Sequence, residues 1–433
     1  MGVGWDLGFG IWDLHYAVLA DFIIENATLV ATCAGPAPRR GRAQHDISPI
    51  RNASIAAHDG RIVFVGSADD AARSVSLTAN AVRMNASGCT VVPGFVDAHT
   101  HVVYAGDRRQ ELQRRLAGAT YEQIAAEGGG IVKTVAATRG ASEDELVDAT
   151  RVRLDEMLAC GTTTAEAKSG YGLTTESELR QLRVIQRLDA EHPIDLVPTF
   201  MGAHEVPVEY RGKRDEYVAL VVNEMIPRVR DERLAEWCDV FCETGVFTPE
   251  ESVAILTAGL EAGLKPRIHA DEFASSGGSR VAAQVGARSA DHLVAVDEEG
   301  AHAMAAANVC ATLLPTAAFY LKLGRFAPAR MLIDHDVAVA LATAVNPGGG
   351  FSPSMPFAMA LACFGMRLTL EEALVAATIN AAWSVDRADR IGSLETGKVL
   401  DVVVVNGELV DLIRVGAPAI RHVIKSGRVV CGS

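Results

Sequence analysis

The sequence predicts an α/β fold: a (β/α)8 TIM barrel with a small composite β-sandwich domain built from both chain ends. Three observations lead there. From Val91 to about Gly392, short apolar segments alternate with helices that carry clear start signals. The segments before and after that stretch are strand-like and punctuated by hairpin turns. Chemistry-bearing side chains cluster at the C-terminal ends of the apolar segments, the edge where barrels carry their sites. The boundaries that follow are 1–19 as an N-terminal extension, 20–92 plus 393–433 as the composite β domain, and 93–392 as the barrel. The 433 residues hold one barrel of about 250 residues and a smaller unit.

Each element has its own justification. The first twenty residues are apolar and aromatic, but Asp6 and Asp13 interrupt them and no basic stretch precedes them, so no secretory signal is expected. Phe22–Ile24 and Thr28–Val30 read as strands. Asp59-Gly60, between Ser54–Ala56 and Arg61–Val65, is a hairpin signal. The intervening segment from Gly35 to Arg51 is rich in Pro, Gly and Arg and is expected to be exposed. Eight barrel strands are expected at Val91–His101, Gly161–Lys168, Ile194–His204, Val240–Glu243, Pro266–Asp271, Ser289–His292, Ala311–Leu314 and Val337–Thr343. Ser142/Glu145, Thr175/Glu178, Thr248/Glu251 and Thr369/Glu372 fit capping boxes. Pro249 suits a first helical position and Gly263 a helix end. After Gly392, Asn406-Gly407 and Ser426-Gly427 mark two further hairpins.

Composition limits the function. Hydrophobic residues make up 49% and charged residues 22%, which excludes a disordered, collagen-like or coiled-coil chain. No apolar run reaches the ~18 residues of a membrane span. Against 40 basic residues stand 54 acidic ones, a net charge of −14. Such a chain is a poor match for a phosphate backbone, so a small-molecule substrate is expected and neither nucleic acid nor membrane is. The 8 cysteines are scattered, and the nearest pair, Cys238 and Cys242, is not a CxxC. Free thiols in a reducing cytoplasm follow. Oligomeric state is open, with a homodimer among the common outcomes.

The chemistry gathers in histidines. His99 and His101 end an apolar strand, and the two-residue period of a strand points both to one side, as metal ligands require. His269 ends Arg267-Ile268, His204 follows Gly202-Ala203, and His292 follows Ser289–Asp291, each at a strand end. The other seven histidines lie in loops, helices or terminal segments.

At this point the motifs become selective. PGFVDAHTHVVYAGDR (93–108) resembles the amidohydrolase superfamily. GATYEQIAAEGGGIVKTVAATR (118–139), GTTTAEAKSGYGL (161–173), TFMGAHEVP (199–207), CDVFCE (238–243), HADE (269–272) and SADHL (289–293) are together similar to the imidazolonepropionase family. The resemblance implies a metal-dependent hydrolase barrel that opens the cyclic amide of 4-imidazolone-5-propanoate to N-formimidoyl-L-glutamate, in histidine catabolism. It implies one divalent ion, Zn or Fe, on His99, His101 and His269. It gives Glu272 a role in proton handling and substrate binding, and His292 the orientation of water. Arg108 would hold the propionate, with Arg109 the alternative from spacing alone, and Tyr121, Tyr171 and His204 would contact the substrate. Asn346 and Gly348 would form the loop that closes on it, and Gly349 beside them is a substrate-contact position where relatives often carry Ser or Thr, a mild departure that removes one hydroxyl contact.

One departure stands out. Where the resemblance leads one to expect a metal-binding, proton-accepting Asp, in ALATD, this chain has Ala344. Asp334 and Asp336 lie too early on the segment to reach the site, at ~3.3 Å per residue. A methyl group neither binds metal nor takes a proton, so the expectation is a folded, substrate-competent site with strongly reduced or absent hydrolysis. The alternatives are another amidohydrolase or aminohydrolase on the same three histidines, and a non-catalytic ligand-binding relative.

Overall fold

The structure is a computed structural model that describes residues 17–119, 123–124 and 127–432. Tyr121 and residues 1–16 of the expected extension lie outside the described residues.

The chain opens with β1 (Val18–Ala31), β2 (Pro49–His58), β3 (Arg61–Ser67), β4 (Val75–Asn85) and β5 (Cys89–Pro93). The two strands expected at Phe22–Ile24 and Thr28–Val30 are one long β1. Its pairing with β2 shifts register between Ile24 and Ala27, where Asn26 takes a positive φ. The Asp59-Gly60 hairpin joins β2 to β3 as expected. β14 (Val402–Asn406), β15 (Ile420–Lys425) and β16 (Arg428–Gly432) return from the other end, and β14 pairs antiparallel with β5. Among the described residues these eight strands form one hydrogen-bonded sheet. Alternate residues from both chain ends, including Ile24, Ile55, Val91, Val402 and Ile424, enclose a single core. Ser426-Gly427 is the expected hairpin. Asn406-Gly407 is not: the Asp411 carboxylate captures the Glu408 amide and starts a short helical turn, Leu409–Ile413, before β15.

The second sheet is the barrel: β6 (Phe95–Asp97), β7 (Thr162–Lys168), β8 (Asp195–Ala203), β9 (Trp237–Cys242), β10 (Lys265–Ala270), β11 (Ser289–His292), β12 (Cys310–Leu313) and β13 (Val339–Leu341), all parallel. β7, β11, β12 and β13 are buried along their whole length, as strands covered on both faces must be. The expected strand Val91–His101 is split. Pro93 ends β5, and the Gly94 amide turns to the Asp401 carbonyl (2.9 Å), so β5 serves the terminal sheet and β6 the barrel. Side chains and loop backbone close the seam between β6 and β13. Asp97 accepts from the Thr343 amide (3.0 Å) and hydroxyl (2.5 Å), the Ala344 amide donates to the His99 carbonyl (3.2 Å), and the His101 amide donates to the Val345 carbonyl (2.8 Å). That seam locks residue 344 beside the two histidines.

Three of the four expected capping boxes form, at Ser142, Thr248 and Thr369. The fourth does not. Thr174 precedes the helix Thr175–Glu191, and the Glu178 carboxylate turns away toward the preceding loop. The Gly35–Arg51 segment is also not simply exposed. Arg39 and Gln44 are buried in it. The Arg39 amide donates to Asn380 Oδ1 (2.7 Å), and the Gln44 amide group exchanges hydrogen bonds with the backbone of Val339 (3.1 Å each). Its polar side chains satisfy the barrel's own buried backbone groups, which composition alone does not reveal.

Candidate active site

The site is built on the C-terminal ends of the barrel strands. His99 and His101 follow β6, His269 lies in β10, and their ligand-capable nitrogens fall within 4.8 Å of one another, all buried. Carboxylates behind the rings set their direction. His99 Nδ1 bonds Asp291 Oδ2 (2.7 Å) and His269 Nδ1 bonds Asp239 Oδ1 (3.0 Å), so both rings offer Nε2 to the centre. Two further charges anchor those carboxylates. Lys168 Nζ sits 2.7 Å from Asp239 Oδ2 and 2.7 Å from Glu166, and Arg267 donates to Asp291 (3.3 Å). Burial works against the Lys168 charge, but Asp239 and Glu166 outweigh it and hold its pKa above the usual lysine value. Burial works against the Asp239 charge too, yet His269 and Lys168 keep that carboxyl well below its usual range.

This donor set fits a divalent ion. His99 Nε2 is buried and has no hydrogen-bond partner among the described residues. His101 Nε2 and His269 Nε2 face each other at 3.1 Å. Burial, and then the nearby Lys168 and neighbouring imidazoles, push His99 well below the ordinary histidine pKa. Burial and then His204 and His269 do the same to His101. Neutral, inward-facing imidazoles are the form that binds metal.

The expected site residues that lie among the described residues line one cavity of about 110 Å³. Arg108 is buried and fixed by Glu111 (Nε to Oε2, 2.7 Å), with its terminal nitrogens packed against Gly348. A side chain at 348 would collide with that guanidinium. Arg109 starts the following helix and does not line the cavity. The Tyr171 ring lies 5.2 Å from His204, which stacks on His101 at 4.7 Å. Burial pushes His204 down to about 3. Glu272 and His292 meet at 3.3 Å. Burial, with the Glu243 charge, raises Glu272 to about 8, while burial holds His292 well below the usual histidine value. At neutral pH the pair is therefore a protonated carboxyl beside a neutral imidazole. Asn346 spends its side chain on its own loop, accepting from the Gly348 and Gly349 amides (2.8 and 2.6 Å) and donating to the Ala344 carbonyl (2.7 Å). Ala344 lines the cavity with a φ of +57°, a conformation in which Asp and Asn are favoured and Ala is strained.

Several participants have no individual role that the sequence alone assigns. Asp239, Asp291, Lys168 and Arg267 look like ordinary polar interruptions of a strand. Asp271 of the HADE stretch turns out to take four backbone amides, from Ser276 to Ser279, and so fixes the loop that follows Glu272. Glu205 and Phe241 also line the cavity.

Comparison with known proteins settles the lineage. The amidohydrolase family model matches residues 90–430. The imidazolonepropionase of Clostridium tetani is 47% identical over 410 residues, 94% of this chain and 97% of that protein. The chain belongs to the imidazolonepropionase family of amidohydrolases. Family members from Geobacillus kaustophilus (47% over 412 residues, 94% and 97%) and Porphyromonas gingivalis (45% over 411 residues, 94% and 96%) match at similar length. Among solved structures, the fold is shared with a zinc-bound adenosine deaminase of Xanthomonas campestris (TM-score 0.70, 19% identity, 96% of this chain and 94% of that one). It is also shared with the zinc complex of atrazine chlorohydrolase from Arthrobacter aurescens (TM-score 0.67, 18%, 95% of each). No helix among the described residues of this family member is long and apolar enough to cross a membrane.

Proposed function

We propose that this chain acts on 4-imidazolone-5-propanoate, adding water across the ring amide to give N-formimidoyl-L-glutamate, and that Ala344 holds its turnover far below that of its relatives. The observation that carries the reading is the convergence on one cavity of three imidazoles, two of them anchored by carboxylates, a rigidly held Arg108 and the Glu272–His292 pair. His99, His101 and His269 would hold a zinc or iron ion, which when bound would supply Lewis acidity and lower the pKa of water to about 7.

The chain's own residues do the rest. Arg108 presents a planar fork to the propionate carboxylate, and Glu111 prevents that fork from turning. Tyr171 and His204 flank the ring. Glu272 holds a proton at neutral pH and can give it to the departing ring nitrogen, as the carbonyl carbon becomes a carboxyl group. The strand-end carboxylate that would take the proton from water is missing: the methyl of Ala344 cannot, and Asp239 and Asp291 are committed behind the histidines. A missing positioned base typically costs about 10²–10⁴ in rate. The eight unbridged cysteines support a reducing, cytoplasmic setting.

A pair of substrates tests the reading: the propanoate and the same ring lacking the propionate arm, each with the parent and with Arg108→Met in the Ala344→Asp background. Preference for the arm should be strong with Arg108 and lost without it. Equal handling of both substrates by the Arg108 protein would reject the assignment.

A further inference from the structure

Tyr171 of the cavity lining sits on a four-residue turn, 170–173, between β7 and the helix Thr175–Glu191. Gly170 (φ +112°) and Leu173 (φ +52°) place it in left-handed conformations that do not hold themselves. Three of its four amides go instead to a single side chain. Glu178, fully buried on the first turn of that helix, accepts from Gly170 through Oε2 (2.9 Å) and from Gly172 and Leu173 through Oε1 (2.8 and 2.7 Å). The Ser169 hydroxyl donates to the same carboxylate, and Ser169 Oγ accepts from the Met201 amide of β8 (2.9 Å). One helical step on, Gln181 Oε1 accepts from the Tyr171 amide (3.2 Å), and its Nε2 donates to the Val103 carbonyl (2.7 Å).

The turn has two outputs. It carries Tyr171, whose ring lies 5.7 Å from His101. It also presents the Gly170 carbonyl to His204 Nδ1 (2.9 Å). A carbonyl only accepts, so Nδ1 carries the proton and Nε2 is left as an acceptor.

We infer that Glu178 is a positioning residue: by gripping the 170–173 turn, with Gln181 as its second hold, it sets both the Tyr171 ring and the His204 tautomer. Its effect on ligand rests on the substrate wall assigned under Proposed function; its effect on the tautomer does not. A carboxylate is required because its two oxygens take four donors. A glutamine offers one acceptor oxygen and sets an NH2 against the remaining amides.

The test uses the full, metal-loaded chain and Glu178→Gln. The readouts are 15N shifts of the His204 ring nitrogens, affinity for imidazole-4-propanoate, and metal content. The expected result is loss of the single Nδ1–H tautomer and about ten- to hundred-fold weaker probe binding, at unchanged metal content and helicity. Gln181→Met, which removes the Tyr171 anchor and the bond to the Val103 carbonyl but leaves the Glu178 grip intact, should weaken the probe about ten-fold, and it decides the question if Glu178→Gln does not fold. An unchanged tautomer and affinity in folded Glu178→Gln, or unchanged affinity in Gln181→Met, overturns the inference. If the parent fails to bind the probe while the tautomer still moves in Glu178→Gln, the substrate reading falls and the positioning role stands.

Discussion

Glu272→Gln should remove a pH-dependent cost of folding. The Glu272 carboxyl is buried beside His292 with the Glu243 charge near, and its pKa rises from 4.5 to about 8. Between those values the native chain holds a proton that the unfolded chain has released. Stability therefore falls as pH rises through this window: the cost is absent below 4.5, grows across the window and is complete above 8. A rise from 4.5 to about 8, at about 1.36 kcal/mol per pH unit, sets an upper bound of ~5 kcal/mol. Glutamine keeps the shape and stays neutral, so the variant should escape this cost. The assay is urea unfolding of metal-free protein from pH 5 to pH 9, read as the difference between parent and variant. The variant should gain on the parent steadily with pH and level off above 8. Parallel stability curves would refute the raised pKa, and with it the idea that Glu272 carries a proton at pH 7.

Other perturbations probe the frame. Asp239→Asn leaves His269 without its anchoring carboxylate and Lys168 short of a counter-charge, so zinc affinity should fall about 10–100-fold, read by competition with a chelator dye. Gly348→Ala drives a methyl into the Arg108 guanidinium and should weaken imidazole-4-propanoate binding about ten-fold or more, with metal content unchanged in calorimetry and elemental analysis. Ala344→Gly relieves a positive φ and should stabilise the protein by about 1 kcal/mol in denaturant titration, without restoring turnover.

The barrel was legible because parallel strands covered on both faces appear as short apolar runs, and the helices between them announce their starts with Ser or Thr three residues before Glu. The clustering of His99, His101 and His269 was legible because they end those runs. What lay hidden was whatever depends on partners that only the folded chain brings together. Asp239 and Asp291 gain meaning only when β9 and β11 bring them behind His269 and His99. Glu178 matched the spacing of a capping box, yet its carboxylate found better donors in the strained turn ahead of it. Gln44 looked like a loop residue until the segment folded under β13. The split at Gly94 went unseen because β5 and β6 are both apolar, and only their different partners separate them.

Residue 344 is the position on which turnover depends most. Elemental analysis of bound metal should be paired with turnover of 4-imidazolone-5-propanoate, for the parent chain and for Ala344→Asp. The expected result is turnover at least ~10²-fold higher in the Asp variant, with metal retained more tightly. Parent turnover within a few-fold of the variant, at full metal occupancy, would contradict it.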